Sequence, residues 1–231
     1  MANNGAPPAE TVSGPDTVPD IGAADGTAAA LARLFGRYQF PAGPRRILLA
    51  AATEFAERGF HATTTRDIAA AAGLSPAAMY VYFRSKEEVL HQIAASTLDF
   101  TIEVAATEAG RPGSPAARLQ ALVRVLTIWN TYNSQVAHVV LYQTGALSPE
   151  RMADIAAKQH EIGRIVRQLV ADGMDAGEFD VTDPGATATA VLSLCLDVAR
   201  WYRPGYRRTP QQIGDFNAAA ALRIAGAGDP A

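Results

Sequence analysis

The chain has 231 residues, 48% hydrophobic and 19% charged. That is ordinary globular composition, with length for one large or two modest cores. A net charge of −3 argues on its face against a nucleic-acid binder, and one cysteine, Cys195, excludes an intrachain disulfide. The N-terminus lacks the basic-then-apolar order of a secretory signal. The longest apolar run, around 186–196, is too short to span a bilayer, so a soluble cytoplasmic protein is expected. Alanine dominates, β-branched runs are scarce, and nothing alternates with period two, which predicts an all-α fold.

Residues 1–26, rich in Pro, Gly and Ala, read as disordered. Residues 1–32 hold Glu10, Asp16, Asp20 and Asp25 and no Lys or Arg, whereas Arg33, Arg37, Arg45 and Arg46 follow directly. The acidic excess therefore lies outside the expected fold, and the approach to it is locally basic. Local charge governs phosphate contact. Leu31, Leu34, Phe35 and Tyr38 recur at helical spacing. A short helix over 27–40, as a docked arm or a minor-groove feeler, and weakly helical disorder fit that spacing equally. Residues 1–40 are thus expected to be a largely disordered extension. Gly43-Pro44 opens the first firm helix, with an Ile47, Leu48, Ala51, Ala52, Phe55 stripe, and Gly59 closes it.

The stretch Thr64–Lys86, TTRDIAAAAGLSPAAMYVYFRSK, is the most informative. Thr64 with Asp67 three residues on is a helix-start signature. Ile68, Ala69 and Ala72 give a small apolar face, Gly73 stops the helix, and Ser75-Pro76 restarts it. The second helix is predicted from Pro76 to about Phe83, with Leu74, Met79 and Phe83 inward. Ala77, Ala78, Tyr80, Val81 and Tyr82 then face outward. Helix, glycine turn and short helix make a helix-turn-helix layout. Tyrosine hydroxyls and the Lys86 ammonium suit phosphate oxygens. A tyrosine-bearing hairpin in an all-α protein-interaction module is the alternative.

These residues carry a family resemblance. The run ILLAATEFAERGFHATTTRDIAAAAGLS and then MYVYFRSKEEVL closely resembles the N-terminal DNA-binding domain of the TetR/AcrR family of bacterial regulators. Ala77 stands where that family commonly has glycine, which bears on the operator sequence read. The resemblance implies DNA contact by Thr65 and Arg66, and a recognition surface of Pro76, Ala77, Ala78, Tyr80 and Tyr82. It also implies a phosphate contact by Lys86, double-stranded operator DNA as partner, and a homodimer. The domains expected are a helix-turn-helix head over 41–90 and an effector-binding and dimerisation domain over 91–226.

A long pattern from Lys86 to about Glu108 supplies the mechanical link between the two. Ser114-Pro115, Ser148-Pro149, Asp183-Pro184 and Thr209-Pro210 each place a capping side chain before a first-turn proline. They predict helices over 115–133, 149–176, 184–202 and 210–225, with another near 134–145. Phe100, Trp129, Tyr132, His138 and Tyr142, beside Met152 and Leu169, each read alone as core packing first; as a cluster in a family whose C-terminal domains hold an effector pocket, they are candidate pocket residues. By the family resemblance, the last two helices form the dimer interface, with Leu192, Leu196, Ala199, Trp201 and Phe216 as candidates. A buried intrachain helix would have the same composition. The tail RWYRPGYRRTPQQIG is similar to regulators of lipid or steroid breakdown that take acyl-CoA or other hydrophobic effectors. Arg203, Arg207 and Arg208 fit phosphates there, or a solvated helix end.

No catalytic constellation appears: there is no phosphate loop, nucleophile elbow or Cys-x-x-Cys pair. His61, His91, His138 and His160 lie too far apart for a helical metal site. No cofactor is expected, and Cys195 reads as a packing thiol ahead of a redox switch.

Overall fold

The computed structural model describes residues 40–203 and 205–228; the expectations for residues 1–39 lie outside them. Among the described residues the structure is all helical. The head holds α1 (Ala42–Arg58), α2 (Thr65–Ala71) and α3 (Pro76–Tyr80), and α4 (Lys86–Ala109) leads out of it. Then come α5 (Pro115–Tyr132), α6 (Ser134–Tyr142), a 3-10 turn (Thr144–Ala146), α7 (Pro149–Asp175), α8 (Pro184–Trp201) and α9 (Pro210–Ile224).

In the head, Ile47, Leu48 and Phe55 of α1 meet Ile68 of α2, Met79 of α3, and Leu90 and Ile93 of α4, all fully buried. The same buried cluster continues along α4 into the body, where α4 packs against α7 and α5 packs against α8 and α9. Polar ties fix α4 on α7: Lys158 pairs with Asp99 at 2.5 Å and His91 meets Asp154 at 2.8 Å. The head touches the body a second time where α1 lies on α6.

Three of the four expected caps form. The Ser114 hydroxyl accepts from Ala117 N, Asp183 accepts from Gly185 N and Ala186 N, and Thr209 makes a capping box with Gln212. Ser148 makes no side-chain cap. Its backbone N–H donates instead to the Glu87 carboxylate (2.9 Å), tying the start of α7 to the start of α4. Two helices end early. After Tyr80 the N–H groups of Tyr82 and Phe83 both turn back to Met79 O (3.0 Å), which closes α3 and drops Phe83 into the core. The stretch near 134–145 stops at Tyr142, and the Gln143 side chain leaves to accept from Phe60 N (2.9 Å).

Candidate nucleic-acid interface and interior cavity

Local chemistry sets the α2–α3 unit. Thr64 Oγ1 accepts from Asp67 N (3.2 Å), while Asp67 accepts from Thr64 N (2.8 Å). Those Thr64 bonds, with Arg58 nearby, hold the Asp67 carboxyl below the usual carboxylate range. Gly73 has φ +65°, and the chain leaves α2 through two reverse bonds, Gly73 N to Ala70 O and Leu74 N to Ala69 O. That is a Schellman ending, which needs a left-handed residue at this point. Arg46 completes it by donating to Ala72 O at 2.5 Å. One arginine expected to make the approach basic is therefore spent on capping α2. Ser75 Oγ then accepts from Ala78 N (3.1 Å) and starts α3.

The outer face of this unit carries what the sequence placed there. Tyr80 is 52% exposed, Val81 77% and Tyr82 46%. Arg66, Pro76 and Ala77 are exposed, and Thr65 and Ala78 are half-buried. Thr65 Oγ1 and Tyr80 OH lie 3.2 Å apart, which joins the start of α2 to the end of α3. The Tyr82 ring lies over Gly43 at the start of α1, where an added Cβ would stand 2.7 Å from it. Lys86 behaves differently. Its Nζ donates to Phe60 O (2.8 Å) and Thr63 O (2.9 Å), and sits 4.4 Å from the Phe60 ring centroid. The ammonium thus clips the α1–α2 loop to the start of α4, a role that sequence reading missed. Backbone carbonyls 23 and 26 positions upstream leave no side-chain signature.

The body holds a largely apolar cavity of about 200 Å³ between α4, α5, α6, α7 and α8. Thr97, Leu98 and Thr101 line it from α4, and Leu126 and Asn130 from α5. Ala137, Val140 and Leu141 (α6), Gln159 and Ile162 (α7), and Leu192, Cys195 and Leu196 (α8) complete it. None of the five aromatic candidates is among these residues. Phe100 and Trp129 stack on each other in the core (4.3 Å between centroids), and Tyr132 OH accepts from Gln211 (2.9 Å). His138 and Tyr142 pair at 4.7 Å. His138 also lines a cleft between α1 and the body, beside Glu57, Tyr202 and Arg203. Burial first, and then Arg203, pushes its pKa down.

The interface candidates separate as well. Leu192 and Leu196 turn towards the cavity, and Ala199 is buried within its own chain. Trp201 and Phe216 remain on the surface. Burial pushes the Cys195 thiol up to about 12, so it stays protonated at neutral pH, as a packing group does.

Comparison with known proteins agrees with this geometry. Residues 47–93 match the model for bacterial regulatory proteins of the tetR family, and residues 112–225 match the tetracyclin repressor-like C-terminal domain. The HTH-type transcriptional repressor KstR2 of Mycobacterium tuberculosis is 31% identical over 183 residues, covering 76% of this chain and 89% of that protein. A tetR-family regulatory protein from Rhodococcus RHA1 superposes with a TM-score of 0.78 at 31% identity, over 82% of this chain and all of the other. AibR in complex with isovaleryl coenzyme A and operator DNA gives 0.71 at 26% identity, over 77% and 97%. No helix among the described residues is long and apolar enough to cross a membrane. The chain belongs to the TetR family of bacterial regulatory proteins, and it is a helix-turn-helix transcriptional regulator.

Proposed function

We propose that this protein is a homodimeric cytoplasmic repressor, not an enzyme, released from its operator by a small, largely apolar effector. Its head spans 41–90 and its effector-binding and dimerisation body spans 91–226. The observation that carries the reading is the outward face of α3, where Tyr80 and Tyr82 stand in solvent beside Pro76 and Ala77. Small residues at the front of that helix allow close approach to a groove. Thr65, Arg66, Tyr80 and Tyr82 supply hydroxyl and guanidinium donors for phosphates and base edges, and Ala78 keeps the packed side of α3 slim. Lys86 serves as the clip that places this surface.

One such helix reads few bases, so selectivity needs two heads about 34–36 Å apart. Exposed Trp201, Phe216 and Ile224 at the ends of α8 and on α9, with outward Thr189, Ala190 and Ser193, support a two-fold contact there. The cavity is the effector seat, and the AibR complex supports an acyl-coenzyme A as its kind of occupant. A full swing from 1:99 to 99:1 between DNA-bound and released forms requires the effector to prefer the released form by about 5.5 kcal/mol.

The test is a mobility-shift titration on DNA flanking the protein's own coding region, at two salt concentrations. Saturable, competitor-resistant binding is expected; Arg66→Ala should weaken it with a flatter salt dependence, and Tyr82→Ala should weaken it with the salt dependence unchanged. Binding that random competitor DNA abolishes would favour a protein-docking head instead.

A further inference from the structure

Resting on the outward-α3 reading above, we propose that Ala77 and Val81 select the operator sequence by packing on thymine C5-methyl groups in the major groove. Position makes Val81 available for this. It stands two residues from Met79 and two from Phe83, both buried, which at about 100° per residue puts it on the side of α3 away from the core. Its backbone is helical (φ −65°, ψ −31°), and Phe83 N donates to Met79 O (3.0 Å) across it, so its direction is fixed. The side chain is 77% exposed, the largest fraction for any large apolar residue among the described ones. Ala77, one turn earlier and also exposed, shares that face.

A single exposed valine needs no explanation on a protein surface, but this one is framed. Tyr80 OH lies 3.2 Å from Thr65 Oγ1, which draws that ring towards α2, while the Tyr82 ring lies over Gly43 of α1. Both hydroxyls are thus held aside by neighbouring helices, and the outer face between them is hydrocarbon. Neither Ala77 nor Val81 can donate or accept a hydrogen bond through its side chain. Of the base edges in the major groove, thymine presents an apolar group, its C5-methyl, and the others present donors and acceptors. A polar edge set against these methyls would lose its water and gain no partner. Branching at Cβ leaves Val81 few rotamers to surrender on contact.

The test starts from a duplex enriched by the full-length protein from a random pool, with its thymines then replaced one at a time by deoxyuridine. That change removes the C5-methyl and keeps every hydrogen-bonding group. Affinity read by fluorescence anisotropy should fall about fourfold at one or two positions of a half-site, the loss of one buried methyl, and about 15-fold with both half-sites substituted. Val81→Ala, a surface change that should leave the melting temperature where it is, should bring the thymine-over-uracil ratio close to one at one of those positions. Tyr82→Ala should weaken binding to both duplexes alike and keep the ratio. Equal affinity for the thymine duplex and its fully deoxyuridine counterpart would overturn the proposal, as would ratios that Val81→Ala leaves unchanged at every position. If no duplex is enriched, the DNA-reading face falls too, whereas specific binding indifferent to the methyl removes this inference alone.

Discussion

Lys86→Met separates two physical roles for one side chain. Lys86 opens α4, where a cation opposes the helix dipole and costs about 0.5 kcal/mol. Two short hydrogen bonds from its ammonium to Phe60 O and Thr63 O offset that cost. Hydrogen bonds involving a charged group contribute about 1.5–3 kcal/mol each, and half-exposure of the site favours the lower figure. The ring contact with Phe60 adds about 0.5 kcal/mol. Methionine keeps the stem and removes the charge, for a net loss of about 3 kcal/mol, or roughly 6–12 °C in melting temperature for a protein of this size. Urea titration followed by circular dichroism measures the loss, and hydrogen exchange at amides 60–64 localises it. DNA affinity should fall through a loosened α1–α2 loop, with little change in salt slope. A Met variant as stable as the parent, with a salt slope lower by about one, would place the ammonium on a phosphate instead.

Three further outcomes follow from the same structure. Gln143→Leu removes the acceptor for Phe60 N–H and should speed exchange of that amide about fivefold, a loss of about 1 kcal/mol; Gln143→Glu keeps an acceptor and should restore slow exchange. Gly73→Ala forces a left-handed backbone on a residue with a Cβ, which would also stand 2.7 Å from Arg46 Nη2. Chemical denaturation should register a loss of about 1–2 kcal/mol, and operator binding should weaken. Glu87 is held below its ordinary 4.5 by hydrogen bonds from Ser148, with Arg151 assisting. Because the unfolded chain takes up that proton first, the stabilisation is complete above about pH 4.5 and disappears as pH falls through the lower folded value. Glu87→Gln has nothing to titrate, so stability measured from neutral pH down to pH 3 should decline less steeply than in the parent.

Much of this architecture was legible because punctuation is local. Proline after Ser, Asp or Thr fixed the starts of α5, α7, α8 and α9 to the residue, and Gly59 and Gly73 marked the ends of α1 and α2. The outward tyrosines followed from helical spacing once Met79 and Phe83 were assigned inward. The cavity was not legible, since its wall is built from Thr97, Asn130, Gln159, Leu192 and similar residues, each an ordinary member of a helix pattern. Only the meeting of five helices leaves the space between them. The aromatic residues drew attention through size, yet Phe100 and Trp129 use that size to fill the core. Leu192 and Leu196 line the cavity, while the outward positions of α8, Thr189, Ala190 and Ser193, are small or polar and carry no apolar signature in the sequence.

The central claim is that paired α3 helices carry Tyr80 and Tyr82 into successive turns of a duplex. Hydroxyl-radical footprinting of the DNA upstream of the protein's own coding region tests it most directly. The expected pattern is two protected patches about 34–36 Å apart, both lost in Tyr80→Ala while the dimer persists in sedimentation. A single patch, or protection that survives Tyr80→Ala and Tyr82→Ala together, would contradict it.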